Sequence, residues 1–135
     1  MTWREYHEST KHSPESLRRA QYGLDWASMP DPFRHYESTP VLDLPADPPA
    51  PEIPALDGPT FLSQLLYYSA AISASKRVPS TGYTYALRVN PSSGNLHPTE
   101  FHFLTRGLKQ WPDGLYHYRP SSHMAEQREI GRAHV

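Results

Sequence analysis

The sequence predicts an α+β fold, and three patterns in its second half support this class. Apolar residues recur at helical spacing from Thr60 to Ser73. Apolar and polar residues then alternate in YTYALRVN, as in a half-buried strand. Two shorter strand patterns follow, TEFHFLT and GLYHYRP, joined by a turn-rich segment that contains Pro-Asp-Gly. A helix followed by strands that pair locally is typical of an α+β domain.

Composition narrows the class of protein further. The chain has 135 residues, 15 prolines and a formal charge of -1, so it lacks the basic excess of a nucleic-acid binder. Cysteine is absent, which excludes disulfides, thiolate zinc sites and cysteine nucleophiles. No apolar run approaches membrane-spanning length, and MTWREYHEST does not resemble a signal peptide. We therefore expect a cytoplasmic protein that binds neither nucleic acid nor membrane.

Residues 1–43 are predicted to form a polar, aromatic leader with short helices. In SPESLRRAQYGL, Ser13 is the predicted N-cap, Pro14 suits the first helical position and Gly23 is a stop signal. The next segment is interrupted by prolines, and we expect three of its rings to pack against a neighbouring surface: Trp26, Phe33 and Tyr36.

Residues 44–59 contain six prolines and are predicted to be an extended, stiff connector, because proline excludes helix and inner strand. The main domain is assigned to residues 60–128. It opens with the helix from Thr60 to Ser73, capped by Asp57 or Thr60. The segment SKRVPSTG is then expected to be a polar turn.

The least ordinary stretch is LRVNPSSGNLHPTEF, from Leu87 to Phe101. It offers a cation, hydroxyls, a flexible backbone position and a carboxamide, at Arg88, Ser92, Ser93, Gly94 and Asn95. Such a set suits a flat heteroaromatic ligand with alternating donors and acceptors, or phosphate or ribityl oxygens. The same residue types are also ordinary turn formers, and composition alone favours a plain turn.

The order of these residues resembles the nitroreductase-like flavoprotein superfamily, and more closely its SagB-type dehydrogenase branch, which includes azoline oxidases of thiazole/oxazole peptide biosynthesis. That branch carries an arginine, Pro-Ser-x-Gly, a proline and acidic residue opening a strand, and then Gly-Leu-Tyr-x-Tyr. The matching positions are Arg88, Pro91, Ser92, Gly94, Pro98, Glu100, Gly114, Leu115, Tyr116 and Tyr118. The resemblance spans nearly all of residues 3–128 and reverses the preference for a plain turn.

This resemblance implies a nitroreductase-like fold, incomplete in this chain, with noncovalent FMN bound between two such units. The implied cofactor-binding residues are Arg88, Pro91, Ser92, Ser93 and Asn95. It further implies two-electron oxidoreduction of a small molecule or a modified peptide, with NAD(P)H as a candidate donor, in a homodimer or a tandem pseudo-dimer. The catalytic lysine and tyrosine proposed for azoline oxidases would lie beyond residue 135, so no catalytic residue is assigned.

One departure from the family pattern leaves an alternative open. Nitroreductases usually carry an Arg-Arg-Ser-like motif before the helix, which holds the FMN phosphate, but here no arginine lies between Arg34 and Arg77. Lys76 and Arg77 could substitute, although they follow the helix. The alternative is a flavin-free scaffold or peptide-binding half that supports a catalytic partner domain.

The final residues, EIGRAHV at 129–135, resemble the translation of a common sequencing-library adapter. We expect a non-native tail there and a natural protein that continues beyond residue 128. We also expect the chain to aggregate or to stay partly unfolded when expressed alone, because the strands within residues 99–118 would have unpaired edges.

Three further sets of residues are expected to be structural. The eight histidines are read as scattered surface or strand residues rather than metal ligands. Glu100 is expected to bond to the Ser-Gly-Asn turn. Six tyrosines are expected to be half-buried packing residues, although one of them could stack on a flavin: Tyr67, Tyr68, Tyr83, Tyr85, Tyr116 and Tyr118.

Overall fold

The structure, a computed structural model, describes residues 1–19 and 27–128. It comprises two units, Met1–Pro30 and Asp31–Val135. Within the described residues, every helix is too short or too polar to span a bilayer.

The first unit contains helices α1 (Trp3–Thr10) and α2 (Pro14–Arg19). Ser13 caps α2 as predicted, because the Ser16 backbone N–H donates to Ser13 Oγ at 3.0 Å. The predicted stop at Gly23 and the ring of Trp26 lie outside the described residues.

The second unit confirms the α+β class. A four-stranded antiparallel sheet has the order β1-β6-β5-β4, and a separate antiparallel pair is formed by β2 and β3. The elements are β1 (Val41–Asp43), α3 (Gly58–Ala70), β2 (Ile72–Arg77), β3 (Thr84–Arg88), a 3₁₀ turn (Ser93–Asn95), β4 (His102–Thr105), β5 (Gly114–Arg119) and β6 (Met124–Arg128).

Helix α3 is shifted from its predicted bounds at both ends. It begins at Gly58 because the Thr60 backbone N–H donates to Asp57 Oδ1 at 2.8 Å, and Pro59 is tolerated in the first turn. It ends at Ala70, so the prediction that Ile72 and Ser73 are helical is wrong. Both belong to β2, and so do the first three residues of the expected polar turn, Ser75 to Arg77, because this strand pairs with β3. The turn itself lies at residues 79–81. The spacing of apolar residues along the sequence carries no information about which segments pair as strands.

The proline-rich stretch lies against α3. The Gln64 side-chain amide donates to the carbonyls of Pro49, Ala50 and Ile53 at 3.2, 3.0 and 2.8 Å. Because proline has no backbone N–H, this stretch has too few backbone donors for its own carbonyls, and the Gln64 side chain donates to three of them.

The core lies where one face of α3 meets the four-stranded sheet. Its buried members are Leu44, Leu62, Leu66, Ala70, Trp111, Tyr116, Tyr118 and Ala125. Only part of the predicted apolar set of the helix is inside, because Phe61 and Leu65 are exposed. Tyr116 and Tyr118 are fully buried rather than half-buried, since alternate residues of an inner strand face the helix.

Strands β1 and β6 were not anticipated from the sequence. The segment MAEQR has no alternating apolar pattern, and β1 is only 3 residues long. Both strands exist because β6 pairs with β5 and β1 pairs with β6, which completes the four-stranded sheet.

Candidate functional site

The candidate site is the turn that leaves β3 after Arg88. Three of its residues have left-handed backbone conformations, with φ of 61° at Gly94, 57° at Asn95 and 46° at His97. Glycine adopts this region freely, and asparagine and histidine tolerate it better than most residues. The backbone therefore turns sharply at three nearly consecutive positions.

Side chains of the turn hold its conformation. The His97 backbone N–H donates to Ser92 Oγ at 2.9 Å, and the Asn95 side-chain amide donates to the Ala86 carbonyl at 2.9 Å. Asn95 Oδ1 lies 2.8 Å from His97 Nε2. Two predicted cofactor-binding residues, Ser92 and Asn95, therefore also stabilise the turn itself.

The outer surface of the turn is open. Pro91, Ser93 and Gly94 are exposed, and so are the apolar side chains of Val89 and Leu96 on either side. The turn consequently presents small and apolar groups, against which a flat ring could pack.

Arg88 is buried, unlike a typical surface arginine. It is only 7% exposed, its Nη2 donates to the Pro32 carbonyl, and its guanidinium lies 5.0 Å from the centroid of the Phe33 ring. Burial lowers the pKa of Arg88, and the charge of Glu100 opposes that shift. The expected packing of Phe33 against a neighbouring surface is confirmed by this contact.

Three buried polar atoms in this region have no hydrogen-bond partner among the residues that the structure describes: Arg88 Nε, Asn90 Oδ1 and His97 Nδ1. An unpaired buried polar atom costs roughly 1–3 kcal/mol, so three within ten residues require an explanation. They comprise one donor, one acceptor and one ring nitrogen.

Lys76 and Arg77, the candidate substitutes for the phosphate-binding arginines, lie far from this turn along the hairpin of β2 and β3. Arg77 pairs with Thr84 at the start of β3, whereas Arg88 ends that strand. Four residues of strand span about 13 Å. Lys76 and Arg77 are exposed on β2 rather than in a turn.

A buried cluster of one histidine and two glutamates was missed by the sequence analysis. His117 is fully buried, with Nε2 2.8 Å from Glu100 Oε2 and Nδ1 2.7 Å from Glu126 Oε2. The expectation that Glu100 bonds to the Ser-Gly-Asn turn is wrong, because Glu100 bonds to His117. His117 lies on strand β5, as expected for a strand histidine. The Tyr36 ring packs edge-on against His117 at 5.1 Å, as expected for the aromatic segment. His117 and Glu126 are cross-strand partners, which only the register of β5 and β6 reveals.

A second network, which also involves a histidine, links α3 to the sheet. His123 Nε2 lies 2.8 Å from Ser63 Oγ, and Nδ1 lies 2.8 Å from the Tyr118 hydroxyl. Burial lowers the pKa of His123 and raises the pKa of Tyr118. Ser63 is fully buried and donates to the Pro45 carbonyl, so this network joins the proline-rich stretch to the core.

The histidines form no metal centre within the described ranges, 1–19 and 27–128. No group of three or more His, Cys, Asp or Glu side chains there could hold a metal ion. His117 and His123 use both ring nitrogens in contacts with protein partners.

The α+β architecture is that of a nitroreductase-like fold. A solved structure from Anabaena variabilis ATCC 29413, described provisionally as a nitroreductase, matches 93% of this chain with 32% sequence identity and a TM-score of 0.70. The match covers 25% of that protein, so this chain spans about a quarter of its length. No family model matches the chain, and no curated protein does.

Proposed function

We propose that the protein is an FMN-dependent oxidoreductase of the nitroreductase-like superfamily, of the SagB-type dehydrogenase branch. The observation that carries the proposal is the likeness to the solved structure described as a nitroreductase, with 32% sequence identity over 93% of this chain. The exposed turn after Arg88 is consistent with it, because Pro91, Ser93 and Gly94 are open to a ligand.

The chain's own residues would hold the pyrimidine edge of FMN. Ser93 is exposed and available for contact, Arg88 supplies positive charge, and Ser92 and Asn95 keep the turn in shape. FMN, when bound, supplies the two-electron hydride chemistry. A cation and N–H donors beside the ring stabilise negative charge that develops there.

Substrate and assembly form part of the proposal. A small molecule or a modified peptide is the substrate class, and NAD(P)H is the candidate donor of electrons. A homodimer or tandem pseudo-dimer would supply a second unit beside the flavin. The phosphate-binding cations would come from that unit, because no arginine lies between Arg34 and Arg77 in this one.

A flavin-free scaffold half is the second candidate function. The contact of Arg88 with Pro32 and Phe33 favours it, because that contact already uses the guanidinium. In this case the unit would support a catalytic partner domain or recognise a substrate peptide.

The absorption spectrum of the complete natural polypeptide separates the two candidates. A flavin enzyme is yellow as purified, or becomes so with FMN, and Ser93→Ala weakens FMN binding several-fold, as expected for a lost hydrogen bond. Ser93 is the preferred position, since Ser92 and Asn95 also hold the turn. Thr99→Ala, at an exposed position nearby, is the control and leaves the affinity unchanged. A colourless protein that cannot be reconstituted with FMN supports the scaffold.

A further inference from the structure

We propose that His123 is an acid-sensitive latch between helix α3 and the turn of residues 120–123, which joins β5 to β6. The latch is closed while the His123 ring is neutral, and it opens when the ring is protonated. The proposal involves no residue of the turn after Arg88 and does not depend on the proposed function. It is carried by a chain of hydrogen bonds in which the position of each hydrogen follows from the contacts.

The chain of bonds ends at the Pro45 carbonyl, which can only accept. This carbonyl lies 2.5 Å from Ser63 Oγ, so the single hydroxyl hydrogen of Ser63 lies between these two oxygens. Ser63 Oγ is then the acceptor toward His123 Nε2, at 2.8 Å, and Nε2 carries the ring hydrogen. In the neutral ring Nδ1 is therefore unprotonated, and the Tyr118 hydroxyl donates to it at 2.8 Å.

Every hydrogen in this chain has an acceptor only while the ring is neutral. A proton on Nδ1 would face the Tyr118 O–H, which would have to turn its own hydrogen away in order to accept. Tyr118 is fully buried, and its hydroxyl makes no other hydrogen bond among the described residues. Protonation of His123 thus leaves a buried donor without an acceptor, which is costly.

No charge beside the ring offsets that cost. The titratable side chains that face His123 are Tyr118 from β5 and Tyr67 from α3, whose rings lie edge-on to it at 5.6 and 5.8 Å. No charged side chain among the described residues acts on the ring. Burial lowers the pKa of His123, and the Pro45 carbonyl opposes that shift without cancelling it.

The sign of the pH dependence follows from this burial. The ring takes up a proton at its ordinary pKa of 6.5 in the unfolded chain and only at lower pH in the closed latch. The contribution of the latch to stability is therefore complete above pH 6.5 and declines as the pH falls below that value.

The opening is local because the ring lies at the end of the turn. His123 is partly exposed, and it follows two exposed serines, Ser121 and Ser122. Its backbone has a φ of 52°, a left-handed conformation that the contacts of the side chain hold in place. The bond between Ser63 and the Pro45 carbonyl does not include the ring, so it remains when the ring turns toward solvent.

Nuclear magnetic resonance of the complete natural polypeptide, with ¹⁵N-labelled histidine, tests the latch directly. At pH 7.5 we expect a neutral His123 ring with hydrogen on Nε2 and none on Nδ1, and we expect the ring to titrate below pH 6.5. Nuclear Overhauser contacts between the rings of His123 and Tyr67 should be present at pH 7.5 and lost on protonation. Those between the core rings of Trp111 and Tyr116, which lie 5.4 Å apart, should persist.

A matched pair of variants measures the effect on stability. His123→Asn cannot be protonated, and asparagine suits the left-handed backbone. His12→Asn makes the same change at an exposed histidine and should follow the wild type. Between pH 7.5 and 5.5, the unfolding equilibrium constant from urea titration should rise up to about tenfold more in the wild type than in His123→Asn, the limit for one proton.

Four results would overturn the latch. Three come from the wild type: hydrogen on Nδ1 of the neutral ring, a ring that titrates at pH 6.5 or above, or a protonated ring that keeps its contacts with Tyr67. The fourth is an equal response to acid in the wild type and in His123→Asn. If His123→Asn does not fold, the resonance measurements on the wild type decide alone. None of these results bears on the proposed function.

Discussion

His117 Nδ1 lies 2.7 Å from Glu126 Oε2, and neither side chain is exposed to solvent. Nε2 of the same ring lies 2.8 Å from Glu100 Oε2, so both ring nitrogens contact glutamate oxygens. Arg119 approaches Glu126 at 3.6 Å, and the Tyr36 backbone N–H donates to both of its oxygens at 3.2 Å. The cluster joins β5 to β6 and fixes the segments that precede β1 and β4.

Replacing Glu126 should therefore destabilise the fold. Glu126→Gln leaves a buried imidazole facing an amide, and we expect a loss of about 3 kcal/mol in the free energy of unfolding. Urea titration measures it. Glu37→Gln, at an exposed acid, is the matched control and should change little. Equal losses in the two variants would show that the buried cluster contributes nothing specific.

A second prediction concerns the start of α3. A Cβ at Gly58 would lie 2.8 Å from the Lys109 carbonyl and 3.0 Å from Trp111 Cβ, so the backbone would have to move. We expect Gly58→Ala to cost about 2 kcal/mol in urea titration, as overpacking usually does. Gly107→Ala meets nothing within 4 Å and is opposed only by its φ of +68°, at a cost of about 1 kcal/mol. A larger loss at Gly107 would refute the steric argument.

A third prediction is a pH dependence from the helix cap. The hydrogen bond from the Thr60 backbone N–H lowers the pKa of Asp57 below its usual 3.8. A lowered carboxyl pKa stabilises the fold above pH 3.8, and this contribution is lost as the pH falls through the folded pKa. The melting temperature of the wild type should thus approach or fall below that of Asp57→Asn in acid. The neutral amide caps at every pH. Asp47→Asn, at an exposed position in the proline-rich stretch, should follow the wild type.

A fourth prediction concerns the edge strand β4, on which Leu104 is 70% exposed. An exposed apolar edge favours pairing with other chains. We expect Leu104→Lys to raise the soluble fraction of the expressed chain without lowering its melting temperature. The corresponding change on the opposite edge strand, Val41→Lys, tests whether aggregation proceeds mainly through one of the two edges. An unchanged soluble fraction in Leu104→Lys would mean that aggregation does not proceed through β4.

Features that depend on neighbouring residues could be predicted from the sequence. The caps at Ser13 and Asp57 are hydrogen bonds across three residues, and the strands β3, β4 and β5 follow from alternation within a few residues. The position of the turn after Arg88 belongs to the same group, because proline, glycine and asparagine restrict the backbone locally. The α+β class could be predicted because it follows from these local helix and strand patterns.

Tertiary structure alone decided which distant residues meet. Strand β6 carries no apolar alternation and exists through its pairing with β5, which in turn brings Glu126 to His117. The Pro32 carbonyl reaches Arg88 across 56 positions of the chain. Which polar atoms of the turn remain unpaired was likewise set by packing, because hydrogen-bond partners depend on three-dimensional register and not on distance along the chain.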